Sequence, residues 1–224
     1  MKPIDTKELC ERYRKLYMPA VCDALYHLGL AEQVLPTSLR PLFPEKQIVG
    51  RALTVEGRAI EPRLAWDAGI TRIRSYLKVF ENIPPDSVLV SVNPDSNVGH
   101  FGELTGNSAK FRGCAGVILD GNLRDIEGLR EIGFQVFYRD LSPLNAIGRW
   151  EMVATQKPVK IGSVTINPDD IIFAEFDGIL VIPAAQAEQV LVKAEEIVAA
   201  EKRVRKEMRE GLPPLSGLDK HGYI

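Results

Sequence analysis

The pattern of apolar and polar positions along the chain changes several times between the period of a strand and that of a helix. Short β-branched runs predict strands, and apolar residues three or four positions apart predict helices. The predicted strands are residues 48–56, 88–92, 116–119, 134–138, 159–161, 164–166, 171–174 and 179–182. The predicted helices are residues 5–16, 19–28, 63–80, 103–112, 124–132 and 183–209. This alternation indicates a mixed α/β fold.

The centre of the chain, residues 116–138, has the clearest pattern. A β-branched strand is followed by a predicted turn at residues 120–122, a helix that Gly133 ends, and a second strand. This order predicts a βαβ unit with two parallel strands. Because open α/β sheets bind ligands at the carboxyl ends of their strands, the residues after the first strand are a candidate site.

The long C-terminal helix carries an apolar stripe at about 100° per residue. The stripe consists of Val190, Ala194, Ile197, Val204 and Met208. Glu201 falls in the middle of this stripe, where a carboxylate is costly unless it is paired. Two interpretations remain open: Glu201 forms a salt bridge with an arginine at a packed interface, or it points into a site, including one on a neighbouring subunit.

Charge and composition narrow the class of protein. The 224 residues carry 28 Lys and Arg against 30 Asp and Glu, a net charge of −2, which speaks against a nucleic-acid or polyanion binder. A hydrophobic content of 45% suits one globular domain over residues 1–224. No apolar run approaches the roughly 18 residues of a membrane span, and the charged N-terminus resembles no signal segment. We therefore expect a cytoplasmic protein with neither a membrane nor a nucleic-acid partner.

The cysteines and histidines are too few and too scattered for soft-metal chemistry. Three cysteines without a CxxC spacing and three distant histidines speak against a disulfide framework or a zinc site. A hard cation with oxygen ligands is therefore the metal to expect.

Two predicted helix starts carry the candidate chemistry. Asp125 lies near the start of the helix over 124–132, where the helix dipole favours an acid, so it is either a structural cap or a functional carboxylate. Upstream, Gly99 and Gly102 precede another helix, whose first N–H groups can bind an anion unless the stretch is a flexible loop. Neither a Walker A loop nor a GxGxxG follows a strand, which disfavours a nucleotide or S-adenosylmethionine site.

These motifs resemble those of the RraA-like family, which contains metal-dependent 4-hydroxy-4-methyl-2-oxoglutarate / 4-carboxy-4-hydroxy-2-oxoadipate aldolases and the regulator of ribonuclease activity A. The resembling segments are Gly102-Glu103-Leu104, Asp120-Gly121-Asn122-Leu123-Arg124-Asp125 and Gly133-Phe134-Gln135-Val136-Phe137. An acidic residue, twenty intervening positions and Arg-Asp mark the aldolases, which here corresponds to Glu103, Arg124 and Asp125. The regulators tend to lack this acid, so Glu103 favours an enzyme. Where the family often has an acid three residues after the motif Asp, this sequence has Gly128.

The resemblance implies a single three-layer swivelling-type β/β/α domain with a central βαβ unit and a long C-terminal helix. It also implies a homotrimer or homohexamer with the site at the subunit interface. Asp125 would ligate Mg²⁺ or Mn²⁺ directly, with waters completing the coordination shell. Arg124 would contact the enolate oxygen and the substrate carboxylate.

By the same resemblance, the substrate carboxylate rests on backbone N–H groups of Leu104 and Thr105, next to Gly102. Glu103, together with Glu201 of an adjacent subunit, would hold metal-bound waters and move the proton. The implied reaction is class II aldol cleavage of a 4-hydroxy-2-oxo acid, or decarboxylation of oxaloacetate, and either reaction releases pyruvate through an enolate. A Schiff base on Lys110 is disfavoured, because this residue lies roughly 10 Å along the helix from the amide site. The alternative is a non-catalytic regulator of a ribonuclease or RNA helicase.

Overall fold

The computed structural model describes residues 4–30 and 32–222. It confirms the mixed α/β fold and the long C-terminal helix. The helices are α1 (Thr6–Tyr13), α2 (Met18–His27), α3 (Trp66–Glu81), α4 (Glu103–Phe111), α5 (Ile126–Glu131), α6 (Ala187–Arg209) and α7 (Pro214–His221). The strands are β1 (Arg40–Pro41), β2 (Ile48–Ala59), β3 (Ser87–Val92), β4 (Gly99–Phe101), β5 (Gly116–Leu123), β6 (Val136–Leu141), β7 (Trp150–Thr155), β8 (Val159–Ile161), β9 (Val164–Ile166), β10 (Ile171–Glu175) and β11 (Gly178–Ile182).

The chain forms two compact units, which we name the sheet unit (Glu32–Ala184) and the helical unit (the described parts of 1–31 and 185–224). The sheet unit contains all the strands named above together with α3, α4 and α5. The helical unit contains α1, α2, α6 and α7. That residues 1–224 make one domain stays a prediction.

In the described part of the sheet unit, nine strands form one sheet with the order β1-β6-β5-β3-β2-β10-β11, in which β4 pairs with β5 and β7 with β2. Strands β6, β5, β3 and β2 are parallel neighbours, so the expected parallel pair β5–β6 is confirmed. Because these four strands run in one direction, their carboxyl ends lie along one edge of the sheet, which we call the carboxyl edge.

Burial on both faces explains why the central strands are apolar. All six residues of β3 are buried, as is typical of an inner parallel strand. One face packs against the helices through Tyr76, Phe80 and Leu129. The opposite face packs against the hairpin β8–β9 through Val159 and Ile166. The sheet unit therefore has the three β/β/α layers expected from the family resemblance.

The predicted turn at residues 120–122 is wrong, because β5 continues as a strand through Leu123. Its end is paired on both sides, with Gly99 of β4 and Asp140 of β6 lying opposite Asn122. The stretch considered as a flexible loop contains β4, whose three residues are buried. The Gly-His-Phe sequence of β4 contains no β-branched residue, unlike the equally short strands β8 and β9, which were predicted correctly. Strand β7 and helix α7 were also missed.

In the helical unit, α6 buries its apolar stripe as predicted, with Val190, Ala194 and Ile197 fully buried. The hydroxyl of Tyr13 donates to the carbonyl of Ala187 at 2.7 Å, at the start of α6. Within the described ranges, no helix is both long and apolar enough to cross a membrane.

Candidate active site

The carboxyl end of β5 brings the two predicted helix starts together. Arg124 follows β5 directly, and its N–H donates to the carbonyl of Phe101 at the end of β4 (3.0 Å). The carboxylate of Asp125 lies against the Cα of Gly102, so that a Cβ at Gly102 would collide with its Oδ2 atom. Arg124 and Asp125 therefore stand beside the start of α4.

The backbone of Asp125 is left-handed, with φ 56° and ψ 44°. This conformation costs a residue with a Cβ on the order of 1 kcal/mol and is concentrated at functional sites. Asp125 occupies the N-cap position of α5, yet its side chain makes no capping hydrogen bond. Instead, Oδ1 accepts a hydrogen bond from Nε of Arg124 at 3.1 Å. The carboxylate is thus turned towards the start of α4 and does not serve as a structural cap.

The guanidinium of Arg124 and the carboxylate of Asp125 both reach solvent, with side chains that are 34% and 36% exposed. Their contact uses one of the five N–H donors of the guanidinium. The others remain available for an oxygen ligand held near Asp125.

The start of α4 is fixed by Thr105 and Gly102. Oγ1 of Thr105 accepts the Gly102 N–H at 3.2 Å and donates to the Gly102 carbonyl at 2.9 Å. The next N–H groups of the first turn have no partner within the helix. Leu104 in this turn is 82% exposed, so the turn is open to solvent. An anion can bind here beside Asp125.

Glu103 projects from α4 across the Cα of Gly128 in α5. A Cβ at Gly128 would lie 2.6 Å from both Cγ and Oε2 of Glu103. On the other side, Oε1 of Glu103 accepts a hydrogen bond from Nδ2 of Asn107 at 3.3 Å. The Glu103 carboxylate therefore takes the space that a side chain at position 128 would need, which accounts for the glycine at this position.

The oxygen donors at this site suit a hard cation. Among the described residues, no group of three or more His, Cys, Asp or Glu side chains is arranged to hold a metal ion. Mg²⁺ needs no such cage, because it keeps several waters and binds through one or two carboxylates. The Asp125 carboxylate fits this mode of binding, and a zinc site would need more protein ligands.

A family model described as RraA-like (Aldolase/RraA) matches residues 18–181. The chain belongs to the RraA-like family. This match confirms the resemblance seen in the sequence, and its description covers both aldolases and RraA proteins.

Two relatives and one solved structure show the range of this RraA-like chain's neighbours. It is 29% identical over 192 residues to DlpA of Legionella pneumophila, covering 85% of the chain but only 30% of that protein's length. It is 29% identical over 185 residues to a Halalkalibacterium halodurans protein provisionally named 4-hydroxy-4-methyl-2-oxoglutarate aldolase, covering 83% of the chain and 81% of the relative. Streptomyces coelicolor RraAS2, described as an unusual member of the RNase ES inhibitor RraA protein family, shares the fold. Its TM-score is 0.75 at 22% identity, covering 92% of this chain and 98% of that one.

Glu201 lies in the helical unit of this RraA-like chain, and its carboxylate is paired there. Its side chain is 16% exposed and forms a 3.0 Å salt bridge with Arg205. The same carboxylate accepts a hydrogen bond from the Tyr17 hydroxyl. The structure thus contains the arginine salt bridge, while the approach of Glu201 to a site on a neighbouring subunit stays a prediction.

Lys110 was the lysine considered for a Schiff base. Its amino group donates a hydrogen bond to the carbonyl of Ile132.

Two buried polar side chains, His100 and Asp120, lie on β4 and β5 beside the site, and the sequence alone does not show that they are buried. The His100 side chain is 4% exposed, and its Nδ1 accepts the N–H of Asn122 at 3.3 Å. Burial lowers the pKa of His100 to about 4, so the imidazole is neutral at pH 7. Asp120 is buried beside Arg139; burial raises the pKa of Asp120, and the arginine partly offsets this rise. The only sequence signal of their burial is that each is a single polar residue, Asp120 next to the apolar run of β5 and His100 within the short strand β4.

Proposed function

We propose that this chain is a divalent-metal-dependent class II aldolase that cleaves a 4-hydroxy-2-oxo acid and releases pyruvate. Decarboxylation of oxaloacetate would be a second reaction of the same site. One observation carries the proposal: the left-handed Asp125 turns its carboxylate to Arg124 and the start of α4. A carboxylate, a guanidinium and free helix N–H groups together suit a 2-oxo acid.

Binding begins with the substrate's carboxylate. The N–H groups of Leu104 and Thr105 at the start of α4 would receive it, supported by the helix dipole. The fork of Arg124 would donate to the same carboxylate and to the 2-oxo oxygen. A bound Mg²⁺ or Mn²⁺, held by Asp125, would supply Lewis-acid stabilisation of the negative charge on that oxygen.

Cleavage then needs one proton to leave and one to return. A base removes the proton of the C4 hydroxyl, the C3–C4 bond breaks, and its electron pair forms the pyruvate enolate. The enolate is stabilised by the donors of Arg124. A proton delivered to C3 completes pyruvate. We assign these transfers to Glu103, which stands at the start of α4, together with Glu201 of a neighbouring copy in a homotrimer or homohexamer.

Release of pyruvate from a panel of 4-hydroxy-2-oxo acids and oxaloacetate, with and without EDTA, tests the proposal. We expect activity that EDTA removes and that added Mg²⁺ or Mn²⁺ restores. Asp125→Asn keeps the shape of the side chain and tolerates a left-handed backbone, so it isolates the loss of charge. We expect it to lower kcat at least about 100-fold, on the scale of losing one strong charge-stabilising group.

The control is Glu127→Gln, which removes an exposed charge from the first turn of α5 and is expected to keep the wild-type rate. Full activity in Asp125→Asn, or no pyruvate from any substrate at saturating metal, would contradict the proposal. The second candidate, a protein-binding regulator of a ribonuclease or RNA helicase, is favoured by the family description, which includes RraA. This candidate predicts that the protein forms a stable complex with such a partner and releases no pyruvate with any metal.

A further inference from the structure

The pairing of β4 with β5 changes register at His100. Gly99 lies opposite Asn122 and Phe101 lies opposite Leu123, so β4 advances by two residues while β5 advances by one. An extra residue of this kind has no partner residue on the facing strand, and the regular series of backbone hydrogen bonds is interrupted there. His100 is the extra residue. Since a buried backbone N–H needs an acceptor, the end of β5 requires another one at this point.

The imidazole of His100 supplies this acceptor. The N–H of Asn122 donates to Nδ1 of His100 at 3.3 Å. Two residues further along the chain, the N–H of Arg124 donates to the carbonyl of Phe101 at 3.0 Å. A side-chain bond and a backbone bond thus follow one another and attach the end of β5 to β4.

The surroundings of the His100 ring fix its orientation and its charge. The side chain is buried and stands edge-on to Trp150, with 70° between the ring planes. A Cβ at Gly121 would lie 2.9 Å from Nδ1, so β5 leaves room for the ring only because residue 121 is a glycine. Burial lowers the pKa of His100 to about 4, and the ring is therefore neutral at pH 7. Because Nδ1 faces an N–H donor, it carries the lone pair and the proton is assigned to Nε2.

The hydrogen bond of His100 lies directly before the groups of the candidate site. Asn122, which donates to the ring, precedes Arg124 by two residues and Asp125 by three. On the other strand, Gly102 follows His100 by two residues, and the Asp125 carboxylate lies against the Cα of this glycine. The register at His100 therefore determines where Arg124 and Asp125 meet the start of α4.

We propose that His100 is a positioning residue of the site: its Nδ1 atom holds Asn122 in the register that places Arg124 and Asp125 against the start of α4. The effect on turnover rests on the proposed function, because Arg124 and Asp125 are the groups that this register places. His100 acts only through them and takes no part in proton transfer. A small displacement of positioned groups is costly, since a shift of about 1 Å lowers a rate by up to about 100-fold.

Backbone hydrogen exchange at pH 7 tests the position of β5 without any turnover. His100→Phe keeps a ring against Trp150 but removes the acceptor. We expect the N–H groups of Asn122 and Arg124 to exchange at least about tenfold faster in this variant, the factor that one hydrogen bond contributes, with unchanged exchange in β3. His100→Asn places Oδ1 at the same position along the side chain as Nδ1 and should restore most of the protection.

The rate of pyruvate release should follow the same order. We expect kcat/KM to fall at least about tenfold in His100→Phe and to recover in His100→Asn. A role in packing alone predicts the opposite order, since asparagine leaves a cavity beside Trp150 and phenylalanine fills it. Gly121→Ala is a second way to break the bond: its methyl group displaces Nδ1, and exchange at Asn122 and Arg124 should rise as in His100→Phe.

The matched control is His27→Phe, which replaces an exposed histidine of α2 and should keep the wild-type exchange and rate. Wild-type protection of Arg124 in both His100→Phe and Gly121→Ala overturns the inference, and so does a larger loss in His100→Asn than in His100→Phe. If the expected exchange pattern is found but the wild type releases no pyruvate from any substrate, the aldolase activity is contradicted and the positioning by His100 is supported.

Discussion

Glu103 and Gly128 show how one side chain can restrict the residue type at a neighbouring position in space. Oε2 of Glu103 lies only 2.6 Å from the place that a Cβ of residue 128 would take, and Nδ2 of Asn107 donates to the other carboxylate oxygen. The orientation of Glu103 therefore depends on a missing side chain in another helix. We expect the two positions to be coupled energetically, as residues in direct contact are.

Gly128→Ala should separate stability from activity. Alanine favours a helix over glycine by about 1 kcal/mol, so the free energy of unfolding should not fall in proportion to the lost rate. The added methyl group displaces the Glu103 carboxylate, and we expect kcat for pyruvate release to fall by about tenfold. Steady-state kinetics and thermal unfolding of the same preparation measure both quantities.

The double variant Glu103→Asp/Gly128→Ala is the control, since a shorter acid makes room for the methyl group. The kcat of the double variant should be higher than the combined losses of the two single variants predict. If Gly128→Ala keeps the wild-type kcat, the position of the Glu103 carboxylate has no bearing on turnover.

At the scale of single residues, the sequence predicts which residues form the site but not how their side chains are oriented. The motif predicts that Glu103, Arg124 and Asp125 belong to one site, and the structure places Asp125 and Arg124 at the start of α4. The left-handed backbone of Asp125 and the contact of Glu103 with Gly128 arise from packing between α4 and α5. No local pattern encodes such a contact, so Gly128 was read only as a departure from the family.

The short strand β4 is the element on which the site depends. It pairs with the end of β5 and carries His100, which is buried beside Trp150 with ring centroids 5.6 Å apart. Runs of apolar, β-branched residues revealed the buried strands β3 and β5, but the Gly-His-Phe sequence of β4 contains no β-branched residue. Its presence follows from long-range pairing, which a local reading of the chain does not contain.

Burial of His100 should make stability depend on pH. The pKa of His100 is lowered to about 4 in the folded protein, against about 6.5 in an unfolded chain, so between these values the unfolded state binds more protons. The free energy of unfolding should therefore rise with pH across this window, and fall by up to about 3 kcal/mol as the pH drops from 7 to 4.

Urea denaturation at pH 7 and pH 4.5 measures this loss in the wild type and in His100→Phe. The phenylalanine keeps a ring against Trp150 but does not titrate, so its loss between the two pH values should be smaller. Equal losses in both proteins would show that His100 does not carry the acid sensitivity.

For the whole molecule, composition and net charge limit the class of protein but not the charge of a local site. A net charge of −2 is compatible with a local site at the carboxyl edge that combines the guanidinium of Arg124 with the carboxylate of Asp125. The sequence predicts the α/β class, the parallel β5–β6 pair and the long α6. Glu201 lies on α6 as predicted, and its role depends on how copies of the chain meet.

Mixing two inactive variants tests whether copies share a site. If Asp125 of one copy works with Glu201 of a neighbour, oligomers that contain both Asp125→Asn and Glu201→Gln chains hold some intact sites. We expect co-expressed variants to regain a clear fraction of wild-type pyruvate release, well above either variant alone. Activity no greater than the sum of the two separate variants would show that each site is built within one copy.

The pairing of β4 with β5 also bears on which mutations this site can survive over time. Phe101 pairs with Leu123, so strand pairing holds together the two ends of the segment between Glu103 and Arg124. The length of this segment therefore fixes how α4 and β5 meet at the site. One residue inserted within α4 would turn its later positions by about 100°, and one within β5 would reverse its faces. We therefore expect a one-residue insertion or deletion between Glu103 and Arg124 to disrupt the site more than a point substitution at an exposed position of the same stretch.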